Sequence, residues 1–186
     1  MLPPGHIAAG YVVSKAVLSY LNYSLTSEQT TTLTLLGIFI AFVPDLDFFY
    51  AFFKTKSLRI DNQKVSHRTF ITHAPILWLI AGLLTFFFAA SPFYKALGLL
   101  IWLCSWTHFI LDSEWGVMWA WPFNKKLYPL SDSYYQRKYA GDKKDQSVNV
   151  AGFWKYWWSV AKREYFTRNG YLEIILIVIA LILIAK

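Results

Sequence analysis

Residues 96–113 read ALGLLIWLCSWTHFILDS, an uncharged apolar run that closes on His108 and, one helical turn later, Asp112. Ionisable groups at membrane depth are costly, and where they occur they mark working sites. At a spacing of four, His108 and Asp112 share one face of a helix and can grip one ion. The fold class and the candidate chemistry both grow from this stretch.

Comparable runs lie on either side of it. Leu33 to Val43 continues through Phe48 to Phe53, Ala74 to Ala90 follows, and Leu172 to Ala185 comes last. A further run, Ile7 to Leu21, is interrupted only by Ser14, Lys15 and Ser19. The chain of 186 residues is 56% hydrophobic and 19% aromatic, and only 16% charged, against about 25% charged in soluble domains. A soluble bundle would have too little polar surface to cover these runs. A bilayer core of ~30 Å takes about 20 helical residues, so the shorter runs need tilt or flanking residues to cross. The expectation is an all-α, polytopic membrane helix bundle of four to five spans. It forms a single domain over residues 1–186: a motif-bearing bundle over 1–123, an interfacial basic and aromatic segment over 124–170, and a C-terminal apolar helix over 171–186. No signal peptide is expected, because the first apolar run has neither a basic segment before it nor a small-x-small site after it.

Threading the runs as alternating spans brings every candidate ligand to one membrane face. His6 precedes the first helix, and Asp45-Leu46-Asp47 ends the second. His67 and His73 stand before the third, which Pro75 opens, and His108 and Asp112 end the fourth. Of the 18 Lys and Arg, only Lys15, Lys95 and Lys186 lie off that face. The positive-inside rule makes it cytoplasmic, with the chain integral to the cytoplasmic (inner) membrane. Basic residues beside anionic headgroups also account for the net charge of +7 without nucleic acid. Between Ser113 and Gly170, Trp115, Trp119, Trp121, Trp154, Trp157 and Trp158 alternate with Lys, Arg and Tyr. Such residues favour the headgroup region, and Phe153 to Arg168 reads as an amphipathic helix lying in it.

The four histidines, His6, His67, His73 and His108, with Asp45, Asp47 and Asp112, form one candidate metal site. Each has a plainer reading. His6 could be an N-terminal polar residue, Asp45 and Asp47 helix-end acids, and His67 a surface histidine. His73, and the His108–Asp112 pair, could be hydrogen-bonded inside the bundle, and Arg68 could anchor at headgroups. Together they exceed what one zinc needs and suit a hydrolytic centre of one or two ions with positions left for water. Neutral imidazole suits zinc, while the carboxylates also admit manganese or magnesium. Arg68 has the forked geometry that grips a phosphate oxyanion. Glu114, Asp132 and Glu164 are candidates to assist. There is no Gly-rich phosphate loop and no G-x-S-x-G elbow, and Cys104 lies inside an apolar run. The expected chemistry is therefore metal-activated water rather than a protein nucleophile. The membrane phosphatidic-acid phosphatase type, with its histidine nucleophile, is excluded. Its Ser-Arg seven residues before the histidine is replaced by Ile101-Trp102, and Phe70-Ile71-Thr72 stands where P-S-G precedes its other histidine.

The order of motifs resembles the YdjM-like family of inner-membrane metal-dependent hydrolases. The matching residues are Gly5-His6, Pro44-Asp45-Leu46-Asp47, His67-Arg68 with Thr72-His73, and His108-x-x-x-Asp112-Ser113 with Gly116 and Trp121-Pro122-Phe123. They span residues 5–123, without the aromatic tail. The chain departs from that pattern at Phe48, where the family often has a histidine, and at Ala74, where it often has a serine. The resemblance implies a membrane-embedded, zinc-dependent hydrolase. More remotely, the ligand order is similar to that of zinc-dependent phospholipase C, which implies phosphodiester chemistry in an all-α frame. The combined expectation is hydrolysis of a phosphoester in a lipid or lipid-linked substrate, with Asp45, Asp112 and Arg68 catalytic. Arg68, Trp119 and Trp121 would meet the substrate among membrane lipids. The rivals are hydrolysis of another bond, a non-enzymatic metal-binding or transport protein, and a scaffold in which the metal only ties helix ends together.

Overall fold

Pro3 and Pro4 open α1 (Pro3–Leu21), in the first turn, where a missing N–H leaves no bond unmade. The helix stops at Asn22, whose φ of +46° is the left-handed conformation asparagine tolerates at a helix end. Thr26 then starts α2 (Ser27–Phe42). Its hydroxyl accepts from the Gln29 N–H at 3.1 Å, and Gln29 Oε1 accepts from the Thr26 N–H at 3.0 Å. This reciprocal cap fixes where the chain turns back, and α2 packs along α1. The approach is close. A Cβ at Gly10 would lie 2.8 Å from Ala41 Cβ and 2.9 Å from the Gly37 carbonyl oxygen, so only a residue without one lets the backbones meet. The structure, a computed structural model, describes residues 3–55, 67–113, 116–129, 158 and 168–185, without the side chains at 51, 52, 54, 55, 67, 168 and 169.

Pro44 ends α2 in a tight 3₁₀ turn over Val43–Leu46, from which α3 (Asp47–Thr55) departs. On the far side of residues 56–66, short 3₁₀ turns at His67–Thr69 and Ile71–His73 lead into α4 (Pro75–Phe88). Two tryptophans pin that approach: Trp78 Nε1 donates to the Thr72 carbonyl at 2.8 Å and Trp106 Nε1 to the Pro75 carbonyl at 3.0 Å. Ser91 caps α5 (Pro92–Leu111), which runs back along α4 and packs on α2 and α1. The core between these helices is Leu33, Ile40, Ala41, Ala96, Leu100 and Cys104, with Trp78, Phe93 and Leu97 packed against it. After α5, Val117 and Tyr128 form a single antiparallel bridge that folds the segment back under Trp106, whose ring meets Trp119 edge-on at 5.9 Å. The last helix, α6 (Arg168–Ile184), returns to lie against α1.

The outer faces are apolar. Leu35, Phe39, Leu84, Phe87, Phe88 and Ile184 are all exposed, an arrangement suited to lipid and costly in water. Among the described residues, two helical stretches are long and apolar enough to cross a bilayer: Ser27–Tyr50, with mean hydropathy 1.7, and Pro92–Leu111, with 1.3. Pro75–Phe88 and Gly170–Ile184 are apolar but shorter. The all-α membrane character expected from the sequence therefore stands, with two qualifying spans where four to five were expected. The expected amphipathic helix over Phe153 to Arg168 lies almost wholly outside the described residues, as do Glu114, Asp132 and Glu164.

Candidate metal centre

Five of the candidate ligands converge at one end of the bundle, carried there by four separate stretches of chain. His6 comes from the first turn of α1, Asp45 from the 3₁₀ turn after α2, and His73 from the turn before α4. His108 sits in the last turn of α5, and Asp112 caps it, its N–H bonded to the His108 carbonyl at 2.9 Å. His6, His73 and His108 are fully buried and Asp112 nearly so, while the Asp45 side chain is 17% exposed.

Local hydrogen bonds fix which imidazole nitrogen faces inward. His108 Nδ1 lies 2.8 Å from the Ala41 carbonyl, an acceptor only, so Nδ1 carries the proton and Nε2 presents a lone pair. The carbonyl is available because Pro44, three residues on, has no N–H to bond it in the 3₁₀ turn. His73 Nδ1 lies 2.8 Å from Asp47 Oδ2, which fixes the same tautomer there if the carboxylate is ionised. Thr72 Oγ1 donates to the same oxygen at 2.5 Å.

The inward nitrogens face carboxylate oxygens at 3.3–3.9 Å, mostly too far for hydrogen bonds. His108 Nε2 is 3.6 Å and His73 Nε2 3.9 Å from Asp45 Oδ1; His6 Nε2 is 3.7 Å from Asp45 Oδ2 and 3.3 Å from Asp112 Oδ1. Both nitrogens of His6, and Nε2 of His108, are buried without a hydrogen-bond partner. Lone pairs facing carboxylates repel unless a cation stands between them. Two ligand atoms each ~2.1 Å from one zinc at a tetrahedral angle lie about 3.4 Å apart, close to the separations observed. Donor atoms of Asp45, His73, His108 and Asp112 all fall within 4.8 Å of one another. The residues present therefore fit a divalent ion, and His73 and His108 stand as metal-ligating histidines commonly do, held from behind by a carboxylate and a carbonyl.

The other sequence-derived candidates take different places. Asp47, expected among the ligands, points Oδ2 at His73 Nδ1, on the side away from the cluster. Arg68, expected to hold phosphate, is buried against Asp112: Nη2 stands 2.6 Å from Oδ2, and Nη1 donates to the Asp112 carbonyl at 2.8 Å. Burial alone would push the Asp112 carboxyl up, but this guanidinium holds it well below the usual carboxylate range. The His67 side chain lies outside the described residues. Trp119 packs on Trp106, and Trp121 precedes Pro122 through a cis peptide in the segment after α5. Sequence reasoning quoted Thr72 beside His73 without giving it a role, and it missed the Ala41 carbonyl, whose signal was Pro44.

Among known proteins, the chain matches the YdjM inner membrane protein family over residues 1–186. The match takes in the aromatic tail that the motifs, which stop at residue 123, had left out. No curated protein and no solved structure matches the chain.

Proposed function

This chain belongs to the YdjM inner membrane protein family, and from that premise we propose that it is a membrane-bound, metal-dependent hydrolase acting on a phosphoester in a lipid or lipid-linked substrate. The observation that carries the reading is the set of inward imidazole nitrogens facing Asp45 and Asp112 at 3.3–3.9 Å. His6, Asp45, His73, His108 and Asp112 would hold the ion, zinc before manganese or magnesium given three imidazoles. When bound, it would supply Lewis acidity and an activated water at neutral pH. Asp45, the most exposed of the five, stands where substrate would arrive. Asp47 and the Ala41 carbonyl hold two imidazoles in place, and Arg68 fixes Asp112 while adding positive charge beside it.

The same reading places α1, α2, α4, α5 and α6 across the bilayer, with the site at the cytoplasmic headgroup level. In its support, His6, Asp45, His73 and His108 all lie at helix ends on one side of the bundle. Trp119 and Trp121 follow α5 on that side, among the groups a headgroup would meet. Nothing in the donor set calls for nucleic acid.

Closure of the donor set favours a second reading, a non-catalytic metal-binding membrane protein, because four of the five donors are buried. One experiment separates the two. Metal content is measured on detergent-purified wild type, His73→Ala and Asp112→Ala, and each is incubated with vesicles of phosphatidic acid or phosphatidylcholine. Bound zinc or manganese, with release of phosphate or headgroup that both variants lose, is the expected result. Bound metal without hydrolysis of any phosphoester would leave the second reading, and no metal after reconstitution would remove both.

A further inference from the structure

The last helix carries one acid, Glu173, in a run that otherwise reads YLEIILIVIALILI. It is 1% exposed. The buried positions of α6 are Gly170, Glu173 and Ala180, a narrow stripe at helical spacing, while Leu172, Ile174, Ile175, Val178, Ile179 and Leu181 are exposed. A carboxylate on the packed side of an otherwise lipid-suited helix is expensive and calls for a partner. One partner is at the far end of the chain: Glu173 Oε1 accepts from the Gly5 N–H at 3.1 Å, across 168 residues.

Gly5 is not an arbitrary donor. The first turn of α1 begins Pro3-Pro4-Gly5-His6. The first N–H groups of a helix have no acceptor within it, and the two prolines have none to satisfy. Gly5 therefore supplies the first backbone donor in need of an acceptor, and the next residue is His6. Both His6 nitrogens lack hydrogen bonds. Unlike His73 and His108, this imidazole has no carboxylate or carbonyl behind it to set its direction. Its ring stacks on His108, centroids 4.1 Å apart, and beyond that contact its place is set by the backbone that carries it, which Glu173 clamps one residue away.

We propose that Glu173 is a positioning residue for the metal centre, acting through the Gly5 N–H to hold the first turn of α1 so that His6 Nε2 faces Asp45 and Asp112. This rests on the metal reading given above. The helix contributes no donor atom, yet it sets the place of one.

The test is zinc titration of the full-length, detergent-purified protein, with melting temperature read in parallel. Glu173→Leu keeps α6 apolar, so insertion is not at risk, but removes the acceptor. Zinc affinity should fall about 10-fold, the loss typical of removing a group that orients a ligand, with the metal-free melting temperature falling little or not at all. Glu173→Gln keeps a carbonyl acceptor and should bind within about threefold of wild type. In a His6→Ala background, Glu173→Leu should cost nothing further in zinc affinity, because the residue it positions is gone. Wild-type affinity in Glu173→Leu, or a loss that persists in the His6→Ala background, overturns the proposal while leaving the metal reading intact. A wild type that binds no zinc overturns both. If Glu173→Leu proves insoluble, a Glu173→Gln variant as weak as His6→Ala overturns the acceptor role.

Discussion

Replacing Asp47 with alanine is the sharpest probe of how this site is built. From the sequence, the Asp45-x-Asp47 pair reads as two ligands. In the structure Asp45 faces the imidazole lone pairs, while Asp47 Oδ2 stands behind His73, 2.8 Å from Nδ1 and 2.5 Å from the Thr72 hydroxyl. Removing Asp47 should therefore leave the donors in place but release the His73 ring. A hydrogen bond involving a charged group contributes about 1.5–3 kcal/mol. At about 1.4 kcal/mol per decade, that predicts roughly a 10- to 100-fold loss of metal affinity, the range seen when a ligand's outer partner is removed. The assay is zinc titration against a competing chelator of known affinity, run beside His108→Ala. Asp47→Ala should bind the same number of equivalents more weakly, whereas His108→Ala should lose stoichiometric binding. An Asp47→Ala protein that loses its ion outright would make Asp47 a direct ligand, and one that binds like wild type would sink the orienting role.

Two further outcomes follow from the packing. Arg68→Ala leaves Asp112 buried without its guanidinium and should destabilise the metal-free protein by about 3 kcal/mol. The loss should shrink when zinc is added, since the ion supplies the missing positive charge; a melting curve with and without chelator reads both numbers. Gly98→Ala would place a Cβ 2.5 Å from the Phe86 backbone nitrogen. It should force α4 and α5 apart at a cost of about 1–3 kcal/mol, seen as a lower melting temperature and weaker metal binding, because the turn leading into α4 carries His73 and α5 carries His108.

Much of the site is legible in the chain because its parts are chemically out of place there. His108 and Asp112 at the end of an uncharged run, and Asp45 beside Pro44 at the end of another, have few other uses, and the alternation of runs brings them to one end. What lies behind them was harder to see. Whether an aspartate faces an ion or the back of an imidazole depends on the turn that carries it. Asp45 and Asp47 differ only by their places in the 3₁₀ turn and the start of α3. Arg68 looked free for phosphate because nothing local announces that Asp112, on another helix, claims both ends of its fork. Span number was less legible: α4 is apolar but only 14 residues long, and a run of hydrophobic letters does not show where its helix stops.

The bond between Gly5 and Glu173 also sets an order of events. A chain made from its amino terminus releases His6 first and Glu173 nearly last, so the earliest donor to emerge is among the last to be fixed. Until α6 docks on α1, a nascent chain would hold Asp45, His73, His108 and Asp112 with the front of α1 unfastened. On the proposed role of Glu173, full affinity is then tied to completed synthesis, and a chain cut short before residue 173 would carry all five ligands without the clamp on the first.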